Sequence, residues 1–323
     1  MKRTVMMQNS ALNVAVNCIM TKHLISIIGP TAIGKTTLSI KLAKHFNTEI
    51  ISADSRQFFK EMQIGTAAPS QDELSQAKHH FIHHKSIQDH YSVGAFEKDA
   101  ISCLNILFKK HDVVIMVGGS GLYVDAVTKG LDEFPDVDKK IRKNLNKQFK
   151  DKGLASLQNH LKTMDIKAFN TIAVDNPHRV IRALEICIGT GKAYSSFLNK
   201  GKNKRNFKTI TLGLNAERDI IYDRINQRVD LMVEQGLIDE ARALLPYQQL
   251  NALNTVGYKE LFHYFNGEWP LDFAISEIKK NSRRFAKRQL TWFRKKEDVT
   301  WFDYLTPIDV IINAIKEKID TEN

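Results

Sequence analysis

Cysteine is scarce in this 323-residue chain: Cys18, Cys103 and Cys187 stand far apart. Three isolated thiols form neither a disulfide framework nor a CxxC zinc pattern, so the sequence points to a reducing, cytoplasmic setting. No apolar run approaches the roughly 20 residues that span a bilayer, and no membrane association is expected. Repeats and low-complexity tracts are also lacking. The first residues, MKRTVMMQNSALNVAVNCI, combine a basic start with a weakly apolar stretch, but Asn9, Asn13 and Asn17 interrupt it and no A-x-A site follows. That pattern argues against an export signal. Met20 directly precedes TKHLISIIGPT, so residues 1–20 are expected to be a dispensable leader or to follow a start codon set too far upstream.

What is present is an ordinary globular composition, 43% apolar and 26% charged, and at about 150 residues per domain the length suggests two domains. The formal net charge is +11, which suits a polyanionic or phosphorylated partner. Residues 131–206 carry 16 basic and 8 acidic side chains, so most of the excess sits there. His23–Ile28 (HLISII), Ile50–Ser52 and Val113–Val117 are short β-branched runs separated by helical patterns, the arrangement of a parallel sheet with helices on both faces. After Gly130 and Pro135, basic amphipathic segments run from Val137 to about Leu198 with no convincing strand, until Lys208–Leu214 reads as a strand again. Val299–Phe302 is a late strand candidate. The expected fold is α/β: a P-loop NTPase-like parallel core over 21–130 and 207–323 with C-terminal helices, interrupted by an all-helical insertion over 131–206.

The strongest motif is Gly29-Pro30-Thr31-Ala32-Ile33-Gly34-Lys35-Thr36, a full G-x-x-x-x-G-K-[ST] between a strand and a helix. Its backbone N–H groups can turn toward a phosphate, Lys35 adds positive charge, and the Thr36 hydroxyl can meet Mg²⁺. A hydrolase would usually end a neighbouring strand in a Walker B Asp, yet Val113–Val117 runs into Gly118-Gly119-Ser120. Small residues there bring backbone N–H groups and the Ser120 hydroxyl near the phosphates, although a tight turn into a helix would look the same. Asp54 follows the second strand and faces the same crevice, as a Mg²⁺ ligand, a general base or, taken alone, a helix N-cap.

Arg224 and Arg228 lie four apart on a helical pattern and can reach a diphosphate, unless they pair with Asp223 or Asp230. Arg179 and Arg182 share a helix face behind Pro177, as an RNA grip or as a solvated surface. The stretch from Arg283 to Lys296 has seven basic and no acidic residues interleaved with aromatics, a composition suited to RNA or to a solvated helix end. His79 and His83 have the i, i+4 spacing of a zinc helix, but no further ligands accompany them, so no metal is expected there.

The blocks GPTAIGKT, SADSRQFFKEMQIGTAAP, YSVGAFEKDA, VGGSGLY, NPHRVIRALE, YDRINQRVDLMVEQGL, NTVGYKE and RRFAKRQLTWFR, in this order over about residues 23–303, closely resemble the bacterial tRNA dimethylallyltransferases, also called tRNA isopentenyltransferases of the IPP transferase family. The resemblance implies Mg²⁺-assisted transfer of a dimethylallyl group from dimethylallyl diphosphate to N6 of adenosine 37, beside the tRNA anticodon. It places Gly29 to Thr36 on the diphosphate, with Arg228 first and Arg224 second as holders of its oxygens. Asp54 becomes the base toward N6, and Ser120 lies near the reacting centre beside Lys35 and Arg228. It implies tRNA contacts at Asp54, Ser55, Arg56, Gln57 and Ser120, at Arg142, and at His178, Arg179, Val180, Ile181 and Arg182. Further contacts fall at Thr255, Val256, Gly257, Tyr258, Lys259 and Glu260. Many members carry Thr at the position of Ser120 and a small residue at that of Ile33; Ser keeps the hydroxyl. No Cys/His pair follows Trp301, so the zinc finger of eukaryotic relatives is not expected. A P-loop nucleotide or small-metabolite kinase and a non-catalytic RNA-binding protein are the alternatives, and a monomer is expected.

Overall fold

The computed structural model describes residues 21–198 and 204–322; the expected leader over 1–20 lies outside them. Along the chain, β1 (His23–Ile28) leads through α1 (Lys35–His45) to β2 (Ile50–Ser52), then α2 (Gln71–Gln76), β3 (His79–His80), α3 (Val93–Leu107) and β4 (Val113–Val117). Four helices follow: α4 (Gly121–Lys129), α5 (Lys139–Met164), α6 (Ile166–Thr171) and α7 (Pro177–Thr190). Then come β5 (Lys208–Asn215), α8 (Arg218–Glu234), α9 (Leu237–Leu244), α10 (Tyr258–Phe265), α11 (Leu271–Phe293), β6 (Val299–Asp303) and α12 (Ile308–Glu322). The chain forms two compact units, one comprising the segment up to Asp89 with Ser102–Gly119 and Asn206 onward, the other His90–Ile101 and Ser120–Arg205. Among the described residues no helix is long and apolar enough to cross a membrane.

The first unit is a six-stranded sheet in the order β3-β2-β4-β1-β5-β6, with every pair parallel. All six residues of β1 are buried, His23 and Ser26 with the four aliphatic ones, as a strand with neighbours on both sides and helices on both faces requires. Leu38, Leu42 and Ala43 of α1, Ile221 and Ile225 of α8, and Ile311 and Ile315 of α12 pack with the strand residues Ile25, Ile27, Ile115 and Leu212 in one core. A second cluster joins Phe59, Met62, Leu237, Ala241, Tyr258, Leu261 and Ile278. The register matters most for function: Ile27 pairs with Val117 and Val117 with Ser52, so β1, β4 and β2 end level with one another. The chain leaves β1 toward β2 and leaves β4 toward β5, in opposite directions, which opens a crevice at the carboxyl ends.

The second unit is helical. Leu145, Leu157 and Leu161 of α5 pack on Ala168 of α6 and on Val180, Ile181 and Leu184 of α7. Gly153 interrupts α5 with φ 74°. Asn176 caps α7, its side chain accepting from the His178 N–H at 3.0 Å with Pro177 behind it. The unit also takes in α4 and the first part of α3, where Phe96 and Tyr123 meet at 5.4 Å and Arg205 donates to Glu97 at 2.6 Å.

His79 and His83 do not share a helix: His79 lies in the short edge strand β3, and His83 follows in a loop at φ 47°. His79 Nδ1 donates to the Ala77 carbonyl at 2.8 Å, and His80 Nε2 meets Glu49 at 2.6 Å.

Candidate active site

The level strand ends bring three loops together. Ala53 N–H donates to the Val117 carbonyl at 2.8 Å and Gly118 N–H to the Ile27 carbonyl at 3.2 Å, stitching the exits of β2, β4 and β1. Gly118 is required here because a Cβ would overlap the Ala53 carbonyl. From β1 the loop winds through Ala32 at φ 65° and Gly34 at φ 106° before α1 begins at Lys35. This places the amino end of α1, with its unpaired N–H groups and positive dipole end, at the centre of the crevice. Lys35 Nζ donates to the Gly29 carbonyl at 3.1 Å and the Pro30 carbonyl at 2.7 Å, folded back over its own loop.

These loops line a pocket of about 200 Å³ that holds Thr31 to Thr37, Asp54, Gln57, Gly118, Gly119, Arg224 and Arg228. Its charges are desolvated. Burial lowers the Lys35 ammonium to a pKa of about 7, with Asp54 opposing the shift and Arg228 adding to it. Burial also raises the Asp54 carboxyl above its usual range, against the hydrogen bond from the Arg56 N–H and the charges of Lys35, Arg56 and Arg228. The two arginines differ. Arg224 Nε donates to the Ala32 carbonyl at 2.8 Å and its guanidinium lies 5.3 Å over the Tyr304 ring, bracing the loop. Arg228 Nη1 donates to the Thr31 hydroxyl at 3.4 Å, and burial together with Arg224 lowers its pKa.

Two side chains that shape this pocket went unnoticed in the sequence. Gln289 of α11, 5% exposed, accepts from the Thr31 N–H and donates to the Gly119 carbonyl, both at 2.9 Å. It thereby ties the P-loop to the turn after β4, and a Cβ at Gly119 would collide with it while lying 3.8 Å from Asp54 Oδ2. Its only sequence signal is a polar residue on a helix face otherwise made of Ala286 and Phe293. Glu240 of α9 accepts from the N–H groups of Gln63, Ile64 and Gly65 at 2.8–2.9 Å and from the Tyr258 hydroxyl at 2.6 Å. That grip fixes the loop whose Thr66, Ala67 and Pro69 form part of the pocket wall.

The remaining expected residues divide by exposure. His178, Arg179 and Lys259 are exposed, and Arg142, Arg182, Ser55, Thr255 and Val256 are partly so. Val180, Ile181, Tyr258 and Glu260 are buried in their units: the first two are core residues of α7, and Tyr258 and Glu260 fix α10 and its approach. Gly257 is buried as well. Arg56 Nη1 donates to the Asn251 and Ala252 carbonyls at 2.9 Å, and Gln57 Nε2 to the Ala67 carbonyl at 3.1 Å, so both brace neighbouring loops. Arg56 thus joins the segment after Asp54 to the one before Thr255. Ser120 stands at the N-cap of α4.

A P-loop sheet that sets a carboxylate and two arginines around an anion nest, with glycines where a Walker B acid would stand, defines a phosphate-ligand site of the transferase kind. The IPP transferase family model matches residues 57–296. A tRNA dimethylallyltransferase of Christiangramia forsetii is 63% identical over 302 residues, 94% of this chain and 100% of that protein. Its counterpart in Flavobacterium johnsoniae is 56% identical, over 92% and 98% of the two chains. The crystal structure of full-length tRNA isopentenylpyrophosphate transferase from Bacillus halodurans matches with TM-score 0.70 at 39% identity, over 93% of this chain and 97% of that one. A eukaryotic dimethylallyltransferase acting on tRNA matches with TM-score 0.75 at 27% identity, over 88% and 75%. This chain belongs to the IPP transferase family.

Proposed function

We propose that this protein is a tRNA dimethylallyltransferase, which moves a dimethylallyl group from dimethylallyl diphosphate to N6 of adenosine 37 in the anticodon loop and releases diphosphate. The reading is carried by one observation: a desolvated carboxylate, Asp54, shares its pocket with the P-loop, Lys35 and Arg228. Asp54 takes a proton from the N6 amine, N6 bonds to C1 of the donor, and the C1–O bond breaks with its electron pair passing to the diphosphate. An adenine amine is a poor nucleophile, and a carboxylate made more basic by burial suits the proton's removal. Lys35, Arg228 and the loop amides meet the charge developing on the leaving group, where one such donor is typically worth about 3 kcal/mol. Arg224 acts on the diphosphate through the P-loop backbone that it braces, and Ser120 is assigned to the acceptor side.

The Thr36 hydroxyl in the pocket, together with diphosphate oxygens, is a hard oxygen donor set that fits Mg²⁺. Bound there, Mg²⁺ would offset the negative charge of the diphosphate. The basic helical stretch over 131–206 is proposed as the tRNA-binding insertion, with Arg142, His178, Arg179 and Arg182 on phosphates. A flipped base costs a few kcal/mol of unstacking, least in a loop, which favours an anticodon-loop substrate. We take the protein to be a cytoplasmic monomer.

Incubation with unmodified tRNA, labelled dimethylallyl diphosphate and Mg²⁺ should place the label on RNA. ATP-dependent phosphorylation of a small substrate, with the five-carbon donor ignored, would establish the kinase alternative instead.

A further inference from the structure

Helix α7 turns one acid inward among its arginines. The Glu185 side chain is 7% exposed, whereas Arg182, three residues earlier, and Arg142 on α5 are 40% and 44% exposed. Both arginines donate through Nη1 to the same oxygen, Glu185 Oε2, at 2.8 Å from Arg182 and 2.9 Å from Arg142. The Arg182 guanidinium also lies 5.2 Å over the Phe134 ring, and Phe134 stacks on Tyr194 at 5.1 Å and 6°. One carboxylate therefore holds two guanidinium groups, from two helices, at a common point beside an aromatic pair.

Two adjacent guanidinium groups repel one another, and one carboxylate neutralises only half of their charge. The assembly keeps a net positive charge while losing its freedom to move. Each fork has five N–H donors and commits Nη1 to Glu185, so the other donors are presented in a fixed direction. Pre-ordering long side chains removes an entropy cost that a phosphate would otherwise impose on binding. We propose that Glu185 is a positioning residue for RNA: it touches no ligand but sets Arg142 and Arg182 as a paired phosphate grip. This rests on the tRNA reading above.

The inference makes a prediction of unusual sign. In a basic protein that binds a polyanion, removal of an acid should strengthen binding, since non-specific affinity follows charge. If Glu185 positions the arginines, Glu185→Gln weakens binding although it removes a negative charge. The variant is close to isosteric, and its melting temperature reports any loss of folding. Binding of an unmodified tRNA transcript should be measured from about 50 to 200 mM salt for the wild type, E185Q, R182Q and the double variant. We expect E185Q to weaken tRNA binding about tenfold and to flatten the salt dependence by the equivalent of one to two phosphate contacts, at roughly 0.7–0.9 in slope for each. Inorganic pyrophosphate should bind unchanged, and the double variant should lose less than the product of the two single losses, since part of what Glu185 does is to hold Arg182. Equal or tighter tRNA binding by E185Q would overturn the inference, as would a lower melting temperature with an unaltered salt slope, or losses that multiply in the double variant. A wild type that binds pyrophosphate but no tRNA would instead overturn the functional reading on which the inference rests.

Discussion

The pocket of the first unit and the arginine pair of the second both offer positive charge to an anion, and they obtain it in opposite ways. In the pocket, Lys35, Asp54 and Arg228 are desolvated, and burial is the leading cause of every pKa shift. In the arginine pair, the charges stay 40% to 44% exposed and only the carboxylate between them is buried. Desolvated charges interact strongly over a few ångströms and are little screened, whereas exposed ones are screened within about 8–10 Å at ordinary salt. The first arrangement suits a small, highly charged ligand held for reaction, the second a long polyanion held in register. Pyrophosphate binding should accordingly vary little with salt when tRNA binding varies steeply.

The largest effect expected on this contrast is at Asp54. Asp54→Asn should lower single-turnover transfer by about 10²–10⁴ and leave tRNA affinity almost unchanged, because the amide cannot take the N6 proton. Near-normal transfer by this variant would remove the pocket's claim to the chemistry. Next come the two arginines. Arg228→Ala should cost about 10² in transfer, as loss of one donor to the developing charge does. Arg224→Ala should cost closer to tenfold, an order-of-magnitude expectation for one charge-assisted bond acting through the backbone. A reversed ranking would make the loop brace, rather than the pocket-facing guanidinium, the principal diphosphate ligand.

What could be read in the sequence was local. The strands at His23–Ile28 and Val113–Val117 announce themselves as short, mostly aliphatic runs stopped by glycine, and the P-loop is a fixed spacing of residues whose backbone roles follow from their size. Asp54 was legible because it follows such a run. Motif blocks proved a weaker guide inside helices. His178 to Arg182 is one block in sequence, but at 3.6 residues per turn it cannot all face outward, and Val180 and Ile181 lie in the core. The bracing role of Arg56 has no local mark, because its carbonyl partners at Asn251 and Ala252 lie 195 and 196 residues away. Gln289 and Glu240 were illegible for the same reason: each satisfies backbone groups far along the chain, and nothing next to either residue marks it.

Gln289 offers the next test. Gln289→Leu keeps the bulk and leaves the Thr31 N–H and the Gly119 carbonyl without partners, at a cost of about 1–3 kcal/mol for each buried group left unsatisfied. Pyrophosphate affinity should fall about tenfold, with tRNA affinity and its salt slope retained. If tRNA binding fell equally, Gln289 would belong to both sites and the contrast between them would be less sharp.

The smallest effect separates a desolvated charge from a screened one most directly. With a pKa of about 7 in the free protein, Lys35 is half neutral at neutral pH, and a diphosphate binds the protonated form. Raising the pH therefore makes protonation an added cost of binding. Between pH 6.5 and 7.5 this costs about threefold in pyrophosphate affinity, as follows from one group titrating near 7. The ligand's own titration acts on every variant alike, so the readout is the ratio of the wild type to Lys35→Arg, whose guanidinium stays charged throughout the range. That ratio should move by about threefold over this interval for pyrophosphate and stay constant for tRNA, whose proposed contacts do not include Lys35. A flat ratio for both ligands would mean that Lys35 keeps its proton in the pocket, and that burial there is less complete than its pKa requires.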